Sequence, residues 1–367
     1  MTRTPPAVRD DVGLMAGYHS AQVDVDVRLN TNEAPLPPPQ ALSDDLADLV
    51  SSLPWHRYPD REAAELRQAI ASLHGVHADQ VFAANGSNEV LYTALHAYGG
   101  AGRRALTFEP TYALHGHLAR LSGTGTLELD RNADFAIDPD IAVTAVDRER
   151  PDIVFLCSPN NPTGVVDPPE LIQQMLVAVE DYGGLLVVDE AYGQFADRSA
   201  IELLGPERNL LVTRTFSKTW AMAALRLGYV LGPADLIAQL HKVALPYHLD
   251  VFTQVAGCRA LGYVAEMEQR VADLVAERRR LAAALAEMPV DTWPSQANFI
   301  LFRPRAVPGA VVWQRLVDQS VLVRDCSSWP RLEGCLRVTV GTPEEGDRFL
   351  SALAHALDHE PRNGKGP

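Results

Sequence analysis

Five short apolar runs in the chain are each followed by groups able to hold an anion or carry a proton. Val81-Phe82-Ala83 leads into Asn85-Gly86-Ser87-Asn88, and Leu106-Thr107-Phe108 into Glu109-Pro110-Thr111-Tyr112. Ile153-Val154-Phe155-Leu156 leads into Ser158-Pro159-Asn160-Asn161-Pro162-Thr163-Gly164. Leu185-Leu186-Val187-Val188 leads into Asp189-Glu190-Ala191-Tyr192. Leu210-Leu211-Val212 leads to Thr215-Phe216-Ser217-Lys218, and Arg226 follows eight residues after the lysine. Hydroxyls, an arginine and the N–H groups of a helix start are what a phosphate needs. A lysine freed of its proton is a nucleophile and then a proton carrier, and a carboxylate nearby can hold a cation.

Each group alone has a plainer explanation. Gly86-Ser87-Asn88 would serve as a helix cap, and Asn161-Pro162-Thr163-Gly164 as a β-turn. Asp189 would cap the next segment, Tyr112 would be a core-edge aromatic, and a single lysine is usually a surface residue. The joint pattern at five successive strand ends reverses that reading. Two motifs are set aside. Gly100-Ala101-Gly102-Arg103-Arg104-Ala105 matches a dinucleotide fingerprint but runs from a helical segment into a strand, the wrong order for that site. His115-Gly116-His117 has no further ligands nearby and is a weak metal signal, so we expect no metal.

The elements needed to position these groups can be read from pattern. Short apolar runs bounded by turn residues are expected to be strands buried on both faces. Helical segments between several of them, such as Glu170 to Tyr182, imply a mostly parallel sheet with helices on both faces. Ligands then bind beyond the carboxyl ends of the strands. The segment up to about Trp55 reads as an irregular arm, since Pro35, Pro37, Pro38 and Pro39 interrupt it. Asp60 is expected to cap a helix from Arg61 to Leu73 that Gly75 ends. After about Asp250 the texture changes. A helical stretch over Val264–Met288 precedes strand-like segments at Phe299–Phe302, Val321–Val323 and Leu336–Val340. The expected fold is therefore α/β, a large domain with a mostly parallel sheet plus a smaller α+β domain. The expected division is 1–55 arm, 56–250 large domain, 251–358 small domain and 359–367 disordered tail.

Composition narrows the function classes. A chain of 367 residues with 47% hydrophobic and 22% charged content can bury a large core without disulfides. Its net charge of -15 argues against a general nucleic-acid or anionic-membrane surface. No apolar stretch approaches a membrane span, and no apolar leader opens the chain. Cys157, Cys258, Cys326 and Cys335 form no C-x-x-C pair. We expect reduced thiols and a cytoplasmic protein.

The series Asn161-Pro162-Thr163-Gly164, Asp189-Glu190-Ala191-Tyr192, Ser217-Lys218 and Arg226 resembles the fold-type-I aminotransferases that use pyridoxal 5'-phosphate. Within them the chain is similar to the histidinol-phosphate aminotransferase family. Tyr18-His19-Ser20-Ala21, Leu29 to Pro35, Arg57-Tyr58-Pro59-Asp60, Ser295 to Phe299, Val323-Arg324-Asp325 and Leu336 to Thr342 carry that narrower resemblance. It runs from Tyr18 to about Glu345. One departure is Ala34, where many relatives have asparagine; it bears on substrate and not on class.

The resemblance implies a role for each position. Lys218 would carry the cofactor as a Schiff base and then move the substrate proton. Asp189 would pair with the ring nitrogen, Asn161 and Tyr192 with the phenolic oxygen, and Tyr112 would stack on the ring. Thr215, Ser217, Arg226 and the N–H groups of Ser87 and Asn88 would hold the cofactor phosphate, with Tyr58 arriving from a second subunit of a homodimer. Arg337 and its companion Arg324 would grip the anionic end of the substrate. Tyr18 and Asn32 would contact the substrate from the arm. The implied substrates are histidinol phosphate and 2-oxoglutarate, with glutamate as the other product; an aromatic amino acid as amino donor is the alternative.

Overall fold

The computed structural model describes residues 5–13 and 22–358. Among them the strands are β1 (Val27–Leu29), β2 (Val81–Ala84), β3 (Arg104–Glu109), β4 (Gly125–Asp130), β5 (Ile153–Cys157) and β6 (Leu185–Asp189). They continue with β7 (Leu210–Thr215), β8 (Gly228–Leu231), β9 (Val290–Thr292), β10 (Phe299–Pro304), β11 (Val321–Asp325) and β12 (Leu336–Thr339).

Seven strands form one sheet in the order β2-β8-β7-β6-β5-β3-β4. Pairing is parallel from β7 to β4, and β8 runs antiparallel to both β2 and β7. Alternation along each strand explains why the apolar runs are unbroken. Leu186 and Val188 of β6 face Met175 and Leu176 of the helix Pro169–Glu180. Their neighbours Leu185 and Val187 share the opposite face with Val90 and Leu91 of the helix Gly86–Tyr98. Burying both faces leaves the strand ends as the place where polar groups collect.

The second sheet has the order β1-β11-β12-β10-β9. Helices Val264–Ala286, Gly309–Val317 and Pro343–Asp358 pack on it through Leu281, Val312, Leu316, Phe349 and Leu353. Strand β1 pairs in parallel with β11, so the segment before Trp55 completes this sheet.

Several local expectations need correction. The 1–55 segment is not wholly irregular: β1 and a helix at Gln40–Val50 lie within it. That helix begins directly after Pro39, and only Leu42 of it is buried, which leaves little periodic signal. The next helix spans Ala64–His74 and not Arg61–Leu73. Asp60 still takes the N–H groups of Glu62 and Ala64, at 3.0 and 2.7 Å, and left-handed Gly75 ends the helix as expected. Strands β4, β8 and β9 are not among those expected. β4 is a half-exposed edge of mixed polarity, and β9 is three residues long.

Candidate active site

The ends of β2, β3, β5, β6 and β7 open into a cavity of about 360 Å³. Ser87, Asn88, Tyr112, Asn161, Asp189, Tyr192, Thr215, Ser217, Lys218 and Arg226 all line it. Residues from 87 to 226 in sequence thus converge on one volume because five strands end on the same side, and Thr31 and Glu33 join them from the arm.

At one end sits Asp189, 1% exposed. Its Oδ1 accepts the Ala191 N–H at 3.0 Å and the Thr213 hydroxyl at 3.1 Å. Its Oδ2 lies 3.0 Å from Nε2 of His115, which is wholly buried. Nδ1 of His115 has no partner. A proton there would be a buried donor left unmet, so the proton belongs on Nε2 and His115 donates to the carboxylate. Phe155 stacks on the imidazole at 4.9 Å and Tyr112 meets it edge-on at 5.5 Å. The result is a charged carboxylate with fixed donors, aimed into the cavity.

At the other end lies a cradle of donors. The helix Gly86–Tyr98 starts here, and its first-turn N–H groups have no acceptors within the helix. Ser217 Oγ lies 3.1 Å from Thr215 Oγ1, which also accepts the Ser217 N–H. Arg226 adopts a left-handed backbone, and its Nη1 donates to the Ala223 carbonyl. The glycines are required by close approach. Gly86 has φ +80, and a Cβ there would sit 2.7 Å from Arg226 Nη2. A Cβ on Gly228 would collide with the Ser87 amide nitrogen. Gly86→Ala is therefore expected to displace the guanidinium and weaken affinity for a phosphate-bearing cofactor by roughly tenfold or more, since a charge-assisted bond contributes about 1.5–3 kcal/mol. A cofactor titration followed by absorbance checks this; unchanged affinity would show that the cradle tolerates the shift.

Between the two ends stands Lys218, whose Nζ donates to the Thr31 carbonyl at 3.2 Å and lies 5.6 Å from the Tyr192 ring centre. Burial, helped by the positive charges of Arg337 and Arg226 and opposed by Glu33, lowers its pKa from 10.5 to about 7. A near-neutral amine at physiological pH is a competent nucleophile. The rate at which cofactor-free protein captures a pyridoxal aldehyde should thus rise with pH, with a midpoint near 7. Stopped-flow absorbance from pH 5.5 to 10 measures it; a midpoint near 10 would contradict the burial effect. Tyr192 is the reverse case. Burial pushes its phenol up to about 12 against the pull of Arg337 and of Asn32, so it stays protonated.

A second cavity of about 140 Å³ adjoins the first, sharing Thr31, Tyr112, Asn161, Tyr192 and Lys218. Arg324, Arg337 and Trp329 wall its far side. The two arginines stand opposite each other across β11 and β12. Arg337 Nη1 donates to Asn161 Oδ1 at 2.5 Å and Nη2 to the Asn30 carbonyl at 3.1 Å, while its buried Nε has no partner. Asn32, left-handed at φ 55, uses its side chain on the Tyr192 hydroxyl, at 2.9 Å, and on Thr339.

Tyr58 lies apart from these residues. It is 81% exposed, stacks on Tyr247 at 4.5 Å and lines neither cavity. Tyr18 lies outside the described residues. His115, Thr213, Trp329 and Glu33 join the site without being among the expected residues. The one available clue to His115 was its place one turn after Tyr112. No cluster of metal-binding side chains occurs among the described residues, and no helix among them is long and apolar enough to cross a membrane.

The sequence matches the family model for aminotransferase class I and II over residues 24–353. It is 43% identical to a histidinol-phosphate aminotransferase of Frankia casuarinae, over 95% of this chain and 90% of that one. It is 44% identical to that of Thermobifida fusca, over 95% of both. The fold superposes with a TM-score of 0.83 on the crystal structure of histidinol-phosphate aminotransferase from Sinorhizobium meliloti in complex with pyridoxal-5'-phosphate, at 24% identity, covering 91% of each chain. The chain belongs to the class I and II aminotransferases and, among them, to the histidinol-phosphate aminotransferase family.

Proposed function

We propose that this chain transfers an amino group between histidinol phosphate and 2-oxoglutarate, with pyridoxal 5'-phosphate held on Lys218. The observation that carries the substrate is the buried Arg337, facing Arg324, with an unmet Nε beside the cavity that leads to Lys218. A guanidinium fork suits a phosphate and a carboxylate in turn, as an enzyme that alternates between two anionic substrates requires. The names of the relatives support the same reading.

The first cavity fits the cofactor by its own chemistry: an anion cradle at one end, an anchored carboxylate at the other and an amine between. When bound, pyridoxal phosphate supplies an electron sink. The protein's residues do the rest. Ser87, Asn88, Thr215, Ser217 and Arg226 bind the phosphate. Asp189 holds a proton on the ring nitrogen. Tyr192 and Asn161 orient the ring's phenolic oxygen, and Tyr112 covers a ring face. The Lys218 amine, with its lowered pKa, would take the proton from substrate Cα and hold it as the local acid. Arg337 and Arg324 hold the anionic end, so that Cα is kept within reach of Nζ. Asn32 steadies Tyr192, and Tyr18 contacts the substrate from the arm.

On this reading 56–250 forms the cofactor-binding domain, and 251–358 the small domain that the 1–55 arm joins. The protein works as a cytoplasmic homodimer in which exposed Tyr58 reaches the partner's cofactor phosphate. Mixing Lys218→Ala with Tyr58→Phe subunits is then expected to restore one intact site per hybrid dimer. Absence of recovery, with subunit exchange verified and Tyr58→Phe itself impaired, would exclude a shared site.

An amine screen with 2-oxoglutarate tests the substrate, comparing histidinol phosphate with phenylalanine and tyrosine. Wild type should prefer histidinol phosphate strongly. Arg337→Ala or Arg324→Ala should lose roughly ten- to a hundredfold in kcat/KM for it while retaining the cofactor, since a charge-assisted bond is worth about 1.5–3 kcal/mol. Efficient turnover of phenylalanine with neglect of histidinol phosphate would make this an aromatic aminotransferase.

A further inference from the structure

We propose that Trp329 is a positioning and specificity residue of the anion subsite, holding Arg324 and Arg337 together as one clamp through its ring face. The proposal rests on the functional reading above, in which that pair grips the substrate anion. Two guanidinium groups opposite each other on neighbouring strands repel, and a repelled pair would splay its donors. The Trp329 ring lies within 5.7 Å of the Arg324 guanidinium and 5.9 Å of that of Arg337. The negative face of an indole attracts a cation, most strongly where water is excluded. One ring near both cations therefore offsets their repulsion without neutralising either charge. Phe299 meets Arg337 at 5.0 Å, so two aromatic rings flank that guanidinium and limit its motion.

The loop bearing Trp329 is built to hold it. Cys326 N–H donates to the Cys335 carbonyl at 3.0 Å, closing the loop at its base, and Trp329 N–H donates to the Cys326 carbonyl at 3.0 Å. Leu332, Cys326 and Cys335 are buried with Phe135, a residue of the large-sheet region, and Trp329 packs against that cluster. Arg331 donates to the Arg131 carbonyl, tying the loop to the end of β4. Trp329 lines the smaller cavity and not the cofactor cavity, which separates its effect from cofactor binding.

A ring-face role and a simple wall differ in what they tolerate. Phenylalanine keeps a π face; leucine keeps apolar bulk without one. The test uses the holoenzymes of wild type, Trp329→Phe, Trp329→Leu and Trp329→Ala. It measures the inhibition constant of inorganic phosphate against histidinol phosphate, and the KM for 2-oxoglutarate. Trp329→Phe should stay within about threefold of wild type, while Trp329→Leu and Trp329→Ala weaken both anions about tenfold or more, with the cofactor absorbance retained. Equal behaviour of Trp329→Leu and Trp329→Phe would overturn the ring-face role, and wild-type anion affinity in Trp329→Ala would overturn any role. If wild type instead prefers phenylalanine to histidinol phosphate, the functional reading fails separately. The KM for 2-oxoglutarate, whose carboxylates meet the same arginines, then decides the role of Trp329.

Discussion

Lys218→Ala is expected to lower turnover by at least about four orders of magnitude while leaving the fold and much of the cofactor affinity intact. A positioned acid or base contributes roughly 10²–10⁴ in rate, and the covalent tether adds to that. The variant loses both. Its phosphate cradle of Thr215, Ser217, Arg226 and the start of the helix Gly86–Tyr98 is untouched, so cofactor should still bind, without covalent attachment. Small primary amines should recover part of the rate, because truncation opens a space where Nζ stood. Borohydride treatment of the wild-type holoprotein followed by peptide mass spectrometry gives the complementary result. The chain has three lysines, Lys218, Lys242 and Lys365. Lys242 is exposed and bonded to Gln239, so the cofactor mass should appear on the Lys218 peptide. Its appearance on Lys242 or Lys365, or a Lys218→Ala protein that turns over normally, would remove the central assignment.

What could be read from sequence follows from which forces act locally. Buried central strands such as β5, β6 and β7 announce themselves because both faces demand apolar side chains. The groups just past those strands were legible for the same reason, since a polar cluster after an apolar run has few places to go. Edge elements were not legible. β4 has one exposed side, and its Thr126 and Glu128 dilute the pattern. The helix Gln40–Val50 buries a single leucine, so no periodic stripe marks it. In the site, the cofactor residues carried motif-like spacing, whereas His115 and Trp329 act only through tertiary contact. His115 reaches Asp189 across 74 residues, and Trp329 gains its meaning from Phe299 and two arginines on strands. The pair His115 and His117 is only a weak metal signal in sequence and is given no role there. The buried carboxylate 3.0 Å from its Nε2 is what gives His115 its part.

That partnership shapes the second large effect, Asp189→Asn, which should reduce kcat by roughly 10²–10³, the range for removing one preorganised electrostatic group. Asparagine is nearly isosteric, so the loss is one of charge and donor direction. The backbone N–H of Ala191 is a fixed donor and keeps an oxygen at the Oδ1 position. The amide nitrogen must then stand where Oδ2 was, facing the Nε2–H of His115. Two donors cannot bond each other. His115 can respond by moving its proton to Nδ1, which has no partner in its buried site. A buried unmet donor costs about 1–3 kcal/mol, so a drop in Tm should accompany the loss of activity. The substituted site also offers no negative charge to hold a proton on the ring nitrogen, which weakens the electron sink even with cofactor in place. His115→Asn should lower kcat less, because Asp189 keeps its charge and its bonds to Ala191 and Thr213. Steady-state kcat, cofactor affinity and Tm for both variants separate the two contributions. Near-normal turnover in Asp189→Asn would reduce Asp189 to a cap for Ala191 and Thr213. A kcat in His115→Asn as low as in Asp189→Asn would mean that the imidazole, rather than the carboxylate charge, sets the chemistry at that end of the cavity.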